Sequence, residues 1–135
     1  MKRLITLSII MSSAFGAYAQ DVEGRVTLDE VTVKAAKVVN KADGMIIYPT
    51  DVQKRYSNNG YSILEKLSFA NLRIDNINHT ITAIDNRGEV QLRVDGVVVG
   101  KVEMLALDPK DIVKIDYINN PGVRYGDDIA YVINI

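Results

Sequence analysis

The 135-residue chain has no cysteine and a single histidine, His79. The lack of cysteine excludes disulfides, thiolate metal ligands and cysteine nucleophiles, so a folded domain must depend on its hydrophobic core for stability. One histidine leaves no H-x-x-x-H pair, and we therefore predict no transition-metal site. His79 falls in a strand-like run, where a surface or edge position is far more common than a role as base or ligand.

The chain also lacks the motifs that mark common catalytic loops. No serine lies in a G-x-S-x-G elbow, and the glycines do not have the spacing of a phosphate-binding loop. Asp127 and Asp128 follow Gly126 like half of a calcium loop, but the third acid and the closing glutamate are missing. We therefore predict a chain that is not an enzyme and that binds no cofactor and no metal. The other aspartates fall mostly at predicted turns or strand edges, where capping or solvation is usual: Asp75, Asp85, Asp95 and Asp116.

Neither sign of charge is in large excess. Lysine and arginine total 16, aspartate and glutamate total 17, and the basic residues form no block. Binding to nucleic acid depends on a concentrated positive surface. The composition therefore argues against a nucleic-acid partner.

The one long apolar run lies at the N-terminus, in residues 4–17 after Lys2 and Arg3. It ends in Ala17-Tyr18-Ala19, a small-x-small pattern. This layout predicts a cleaved secretory signal over residues 1–19 and hence an exported protein. A membrane anchor is the alternative, less favoured because the run is shorter than the roughly 20 apolar residues that span a bilayer. The remaining chain is long enough for one domain with its own core.

Two helix starts follow in the first half of the exported chain. Thr50 and Gln53 fit the T-x-x-Q capping pattern, and Ser62 and Glu65 fit S-x-x-E. Before them, MIIYP is a compact apolar run ended by proline, which predicts a strand. The stretch of residues 38–44 is predicted to be a loop.

The second half is dominated by alternation of apolar and polar residues, which predicts strands. In EVQLRVDGVVV, the alternation leads into Asp95-Gly96, a preferred pair for a type I′ turn, so this stretch predicts a β-hairpin. Asp108-Pro109 is typical of a helix start. These patterns indicate an α+β fold, a small mixed β-sheet with hairpins and two or three short helices packed on it. Further predicted elements are strands at 72–75, 79–85, 112–118 and 131–135, and a short helix at 102–107.

Four stretches, in this order, are similar to the plug domain of TonB-dependent outer-membrane receptors of the Bacteroides-like type. LDEVTVKA resembles the TonB box with the strand behind it, and SILEKLSFANLRID resembles the plug's first helix and the strand leaving it. VQLRVDGVVV resembles the plug's hairpin. LDPKDIVKIDYINNPGVRYGDDIAYVINI resembles the closing part of the plug. The resemblance spans residues 28–135.

After the predicted secretory signal in residues 1–19, the resemblance implies two regions: a flexible lead-in with a TonB-box-like segment in residues 20–34, and a plug-like domain in residues 35–135. It also implies a TonB-type energy transducer as partner, which captures the lead-in by strand addition. An ordinary first strand of the domain is the alternative interpretation of this segment. The implied contact residues are Leu28, Asp29, Glu30, Val31, Thr32 and Val33.

By the same resemblance, the domain gates ligand uptake through an outer-membrane β-barrel of the same receptor family, in a Gram-negative bacterium. The resemblance does not indicate the transported ligand or the residues that bind it. The predicted strands are shorter than the ~9–11 residues of a membrane-spanning strand, so we expect a barrel that is separate from this sequence or missing. The alternative is a free-standing periplasmic binding or interaction module with a plug-like fold.

Overall fold

A mixed sheet of six strands is the centre of residues 35–135, the part of the chain that this computed structural model describes. The strands of this part are Lys37–Lys41 (β1), Gly44–Tyr48 (β2), Leu72–Asp75 (β3), Thr80–Ala83 (β4), Glu89–Val94 (β5), Val97–Val98 (β6), Ile115–Ile118 (β7) and Ile129–Asn134 (β8). The main sheet has the order β1-β2-β7-β8-β5-β6, and β3 pairs with β4 in a second, two-stranded sheet.

Short helices connect the strands. They are Asp51–Arg55 (α1), Gly60–Leu67 (α2) and Lys101–Ala106 (α3), with 3-10 turns at Pro109–Asp111 and Val123–Tyr125. The predicted α+β class, with hairpins, a small mixed sheet and short helices, is confirmed. Within residues 35–135, every helix is too short or too polar to cross a membrane.

The closing strand β8 lies inside the sheet, not at its edge. It pairs antiparallel with β7 and parallel with β5, so Ile133 is opposite Tyr117 on one side and Leu92 on the other. A parallel pair needs a long crossover, and the chain between β5 and β8 supplies it through β6, α3 and β7. Tyr131, Val132 and Ile133 are fully buried. A central position therefore explains why the last strand is so apolar.

The main core lies between one face of the sheet and the helices α2 and α3. Ile63 and Leu64 of α2 and Met104 of α3 are completely buried against Ile115 of β7 and Ile133 of β8. The same cluster continues through aromatic side chains and through β3: Tyr61, Phe69, Leu72, Tyr117 and Tyr131. Burial of this apolar surface is the main source of stability in a chain without disulfides.

The first helix begins as the sequence predicts. The Thr50 hydroxyl accepts from the Gln53 backbone N–H at 3.2 Å, and the Gln53 side chain accepts from the Thr50 N–H at 2.9 Å. These two reciprocal bonds satisfy N–H groups that the first helical turn leaves unpaired.

The predicted start of α2 at Ser62 is wrong, because the N-cap is Asn59. Asn59 Oδ1 accepts from the Ser62 N–H at 2.9 Å, and the Ser62 hydroxyl accepts from the Asn59 N–H at 3.1 Å. Ser62 is therefore the third residue of the helix, and its side chain supplies the part of the capping box that accepts from the N-cap backbone N–H. Gly60 falls inside the first turn, where a Cβ atom would lie 2.7 Å from Met104 Cε.

The predicted loop at residues 38–44 is also wrong, because most of this stretch belongs to a hairpin of β1 and β2. Lys41 pairs with Gly44, and Lys37 pairs with Tyr48. All five residues of β1 are exposed, on both faces of the sheet. The stretch therefore has no alternation of buried and exposed positions, and the signal on which strand prediction depends is absent.

The hairpin prediction at Asp95-Gly96 is confirmed. Asp95 has φ 49° and Gly96 has φ 80°, the positive values that a type I′ turn requires at both central positions. The predicted strand at residues 112–118 is shorter in the structure, since β7 begins at Ile115. Ile112 instead closes the 3-10 turn by donating its N–H to the Pro109 carbonyl at 3.3 Å.

Candidate functional site

The TonB-box-like segment lies outside the described residues. This applies to all six predicted contact residues: Leu28, Asp29, Glu30, Val31, Thr32 and Val33. The first strand that the structure describes is β1, which has β2 as its neighbour on one side and no further neighbour within residues 35–135. Val38 and Val39 of this strand are 49% and 39% exposed.

An open depression of about 800 Å³ lies between the C-terminal end of α2 and the β3–β4 hairpin. We call it the α2–β3 depression. Its apolar lining includes two buried residues, Phe69 and Leu72, and one side chain that is 62% exposed, Ile84. Ile74 and Ala83 complete the apolar part, and the polar part consists of Glu65, Ser68, Arg73, Thr82 and Asn86.

The shape of the depression follows from how the chain leaves α2. Ser68, the C-cap, takes a left-handed conformation with φ 54°, which ends the helix. The Leu72 N–H then donates to the Phe69 carbonyl at 3.3 Å and closes the turn into β3. Leu72 pairs with Ala83 of β4, so the hairpin's open end faces the end of the helix.

Two opposite charges line this depression without contacting each other. Glu65 is on α2 and Arg73 is on β3, and both are exposed. Neither takes part in the ion pairs or side-chain hydrogen bonds found within residues 35–135. Those ion pairs join Lys41 to Asp43 and Asp116, Arg124 to Asp43, and Arg87 to Asp85.

A second polar cluster joins the turn between β4 and β5 to the closing strand. The Tyr131 hydroxyl donates to Asp85 Oδ2 at 2.5 Å, and Arg87 Nε donates to the same oxygen at 2.6 Å. Arg87 also donates to the Tyr131 hydroxyl oxygen. The hydrogen bond from Tyr131 holds the pKa of Asp85 below its usual value. Burial raises the pKa of Tyr131.

Tyr117 lies against this cluster. Its ring stacks on Tyr131 with centroids 5.9 Å apart and an angle of 5° between the planes. Burial raises the pKa of Tyr117 to about 12. Its hydroxyl is buried without a hydrogen-bond partner in the described part of the chain. The cluster therefore contains two neutral phenols beside one ion pair, and its hydrogen bonds fit a structural role.

The single histidine packs against an aromatic residue of the core. His79 is half-buried with φ 56°, and its ring packs on Tyr61 with centroids 5.5 Å apart.

Two of the aspartates predicted to lie at turns or strand edges accept hydrogen bonds within a turn or form an ion pair. Asp75 accepts from the N–H groups of Ile77 and Asn78 at 2.9 and 2.8 Å, and Asp116 pairs with Lys41 at 3.0 Å. Residues 35–135 contain no group of three or more histidines and acids placed to hold a metal ion.

No pattern in the sequence indicates that the residues of the α2–β3 depression form a site. Glu65 is predictable as an outward-facing helix residue, and Arg73 as a polar position on an alternating strand. Their placement around one depression depends on how α2 packs beside β3, which no local pattern contains.

Comparisons with protein-family models, curated proteins and solved structures found no match to this chain. A function can therefore be argued from two sources, the motifs of the sequence and the geometry of residues 35–135.

Proposed function

We propose that this chain is the plug domain of a TonB-dependent outer-membrane receptor. In this role it gates ligand uptake through a β-barrel of that receptor family and engages a TonB-type energy transducer through residues 28–33. The proposal applies to an exported protein of a Gram-negative bacterium, and the transported ligand is left open.

The order of the elements is the observation that carries this proposal. The stretches that resemble a plug fall on α2 followed by β3, on the β5–β6 hairpin, and on the 3-10 turn at Pro109–Asp111 followed by β7 and β8. Each of these three stretches has the type of element that the resemblance implies, and the fourth, residues 28–35, lies outside the described residues except for Ala35. This agreement supports the proposal at the level of fold.

The chemistry of residues 28–33 supports the proposed contact. Leu28, Val31 and Val33 are separated by charged or hydroxyl residues. An extended segment of this kind offers backbone N–H and C=O groups to a partner's sheet edge, and its alternate side chains provide specificity.

A binding experiment tests this contact. We expect a peptide of residues 24–36 to bind the C-terminal domain of a TonB-type protein, and Val31→Pro to weaken binding by about tenfold or more, since proline removes a ladder donor and restricts the backbone. Val26→Pro is the matched control, because it places the same residue outside the proposed contact. Isothermal titration calorimetry measures both. Equal affinity of the two variants, or no binding of the unmodified peptide, would contradict the proposal.

A free-standing periplasmic binding module is the second candidate. The α2–β3 depression favours it, because apolar side chains together with a few polar groups line it, which is a feature of ligand sites. This candidate predicts that residues 20–135 are soluble and folded without detergent and that TonB-type domains do not bind them.

A further inference from the structure

The two charges of the α2–β3 depression are the starting point. The ion pairs within residues 35–135 join atoms 2.6 to 3.6 Å apart, and neither Glu65 nor Arg73 takes part in one of them. Glu65 and Arg73 line one depression and yet are not joined. A molecule that carries both an ammonium and a carboxylate group offers a partner of opposite charge to each of these side chains.

The apolar lining of the depression sets the second requirement. Phe69 and Leu72 belong to the core cluster and also line the depression. Ile84 is 62% exposed and lines it too. Covering this apolar surface is favourable, so a ligand with an apolar side chain binds better than one without.

The volume sets the third requirement. Small-molecule sites in proteins typically have volumes of about 300–1,000 Å³, and this depression has about 800 Å³. A single amino acid occupies only part of that space, and a short peptide occupies more of it.

We propose that the α2–β3 depression binds a small zwitterion with an apolar side chain, that is, an amino acid or a short peptide. Arg73 receives the carboxylate, which matches the fork of N–H donors on a guanidinium group. Glu65 receives the ammonium group, and Phe69, Leu72 and Ile84 contact the apolar side chain. This site does not depend on capture of residues 28–33 by a TonB-type partner.

A titration followed by ¹H–¹⁵N NMR tests the ligand class on residues 20–135. The probes are L-leucine, the dipeptide Leu-Leu, leucinol, which lacks the carboxylate, and 4-methylpentanoate, which lacks the ammonium group. We expect L-leucine and Leu-Leu to shift amide signals of residues that line the depression, and the two analogues to bind at least about tenfold more weakly.

The two zwitterions distinguish the possible sources of the ligand. Tighter binding of Leu-Leu identifies a peptide site, and equal or tighter binding of L-leucine identifies an amino-acid site. The proposal is overturned if neither zwitterion shifts these signals at millimolar concentration, or if either analogue binds as tightly as the zwitterions.

Variants test the two charges. We expect Arg73→Gln and Glu65→Gln each to weaken binding of the better zwitterion by about tenfold. Lys66→Gln is the matched control, because Lys66 is an exposed neighbour on α2 that does not line the depression. All three positions are exposed, so we expect the same melting temperature for all three variants. Unchanged affinity in both Arg73→Gln and Glu65→Gln would overturn the proposal. This result would not bear on the proposed TonB contact, which the peptide-binding experiment tests separately.

Discussion

At the residue scale, the hydroxyl of Tyr131 links two segments that are distant in the sequence. It donates to Asp85 Oδ2 at 2.5 Å and is contacted by Arg87, on the turn before β5. The pKa of Asp85 is lowered chiefly by this hydrogen bond. A carboxyl group with a lowered pKa in the folded state stabilises that state above the unfolded pKa of about 3.9. The contribution is lost as the pH falls through the folded value.

We therefore predict that Tyr131→Phe lowers the free energy of unfolding at pH 7, because it removes the hydroxyl group that donates to the charged Asp85 carboxylate. The difference from the unsubstituted chain shrinks below about pH 4, because protonated Asp85 no longer favours the bond as strongly. Urea denaturation at pH 7 and at pH 3 measures both values. Tyr56→Phe is the control, since Tyr56 is 70% exposed. A difference that does not change with pH would contradict the assigned role of Asp85.

Single-residue features were predictable where the interacting atoms are neighbours in the sequence. The bonds between Thr50 and Gln53 span three residues, and the Asp95-Gly96 turn depends on its own backbone. Tyr131 and Asp85 are 46 positions apart, and no local sequence pattern around either residue predicts their contact. The unpaired charges of Glu65 and Arg73 were unpredictable for the same reason.

At the scale of elements, the contact between β2 and β7 depends on the absence of a side chain at Gly44. A Cβ atom there would lie 1.9 Å from the Tyr117 carbonyl oxygen and 2.9 Å from Ile118 Cα. Both atoms belong to the backbone of β7, which cannot move without breaking its own pairing with β8. Gly44 is therefore required by close approach of two strands.

We predict that Gly44→Ala lowers the free energy of unfolding by about 3 kcal/mol, the upper end of the usual cost of overpacking. Gly100→Ala is the matched control, because the closest atom to its Cβ would be a Glu103 side-chain oxygen at 3.3 Å, on a flexible exposed side chain. Thermal unfolding followed by circular dichroism compares the two variants. Similar melting temperatures for both would show that β2 and β7 can separate without loss of stability.

Elements were predictable where one face is buried and the other is exposed. The strand β4 carries this alternation along its whole length, and β3 carries it at Leu72 and Arg73. In β5 the apolar and polar residues alternate in the sequence, and the Asp95-Gly96 turn marks the hairpin, although both faces of the strand are partly buried. The strand β1 does not carry this alternation, because all five of its residues are exposed, and it was predicted as a loop. The predicted start of α2 lies three residues too late. Ser62 fits the capping box both as the N-cap and as the third helical residue, and it takes the second position because the Asn59 side chain caps the helix.

At the scale of the whole molecule, the fold class followed from the sequence but the arrangement of the strands did not. Alternating stretches with interspersed helices predict an α+β domain. The insertion of β8 between β5 and β7 depends on pairings such as Gln91 with Val132, which join distant parts of the chain. A central β8 removes the exposed edge that an apolar final strand otherwise presents.

We propose that a TonB-type partner captures residues 28–33 as a strand. Hydrogen exchange on residues 20–135, free and bound to the C-terminal domain of a TonB-type protein, tests this contact. Strand addition pairs the backbone along one edge of a segment, so we predict that alternate amides within residues 28–33 exchange more slowly in the complex. A stable complex in which these amides exchange as fast as in the free chain would contradict the claim.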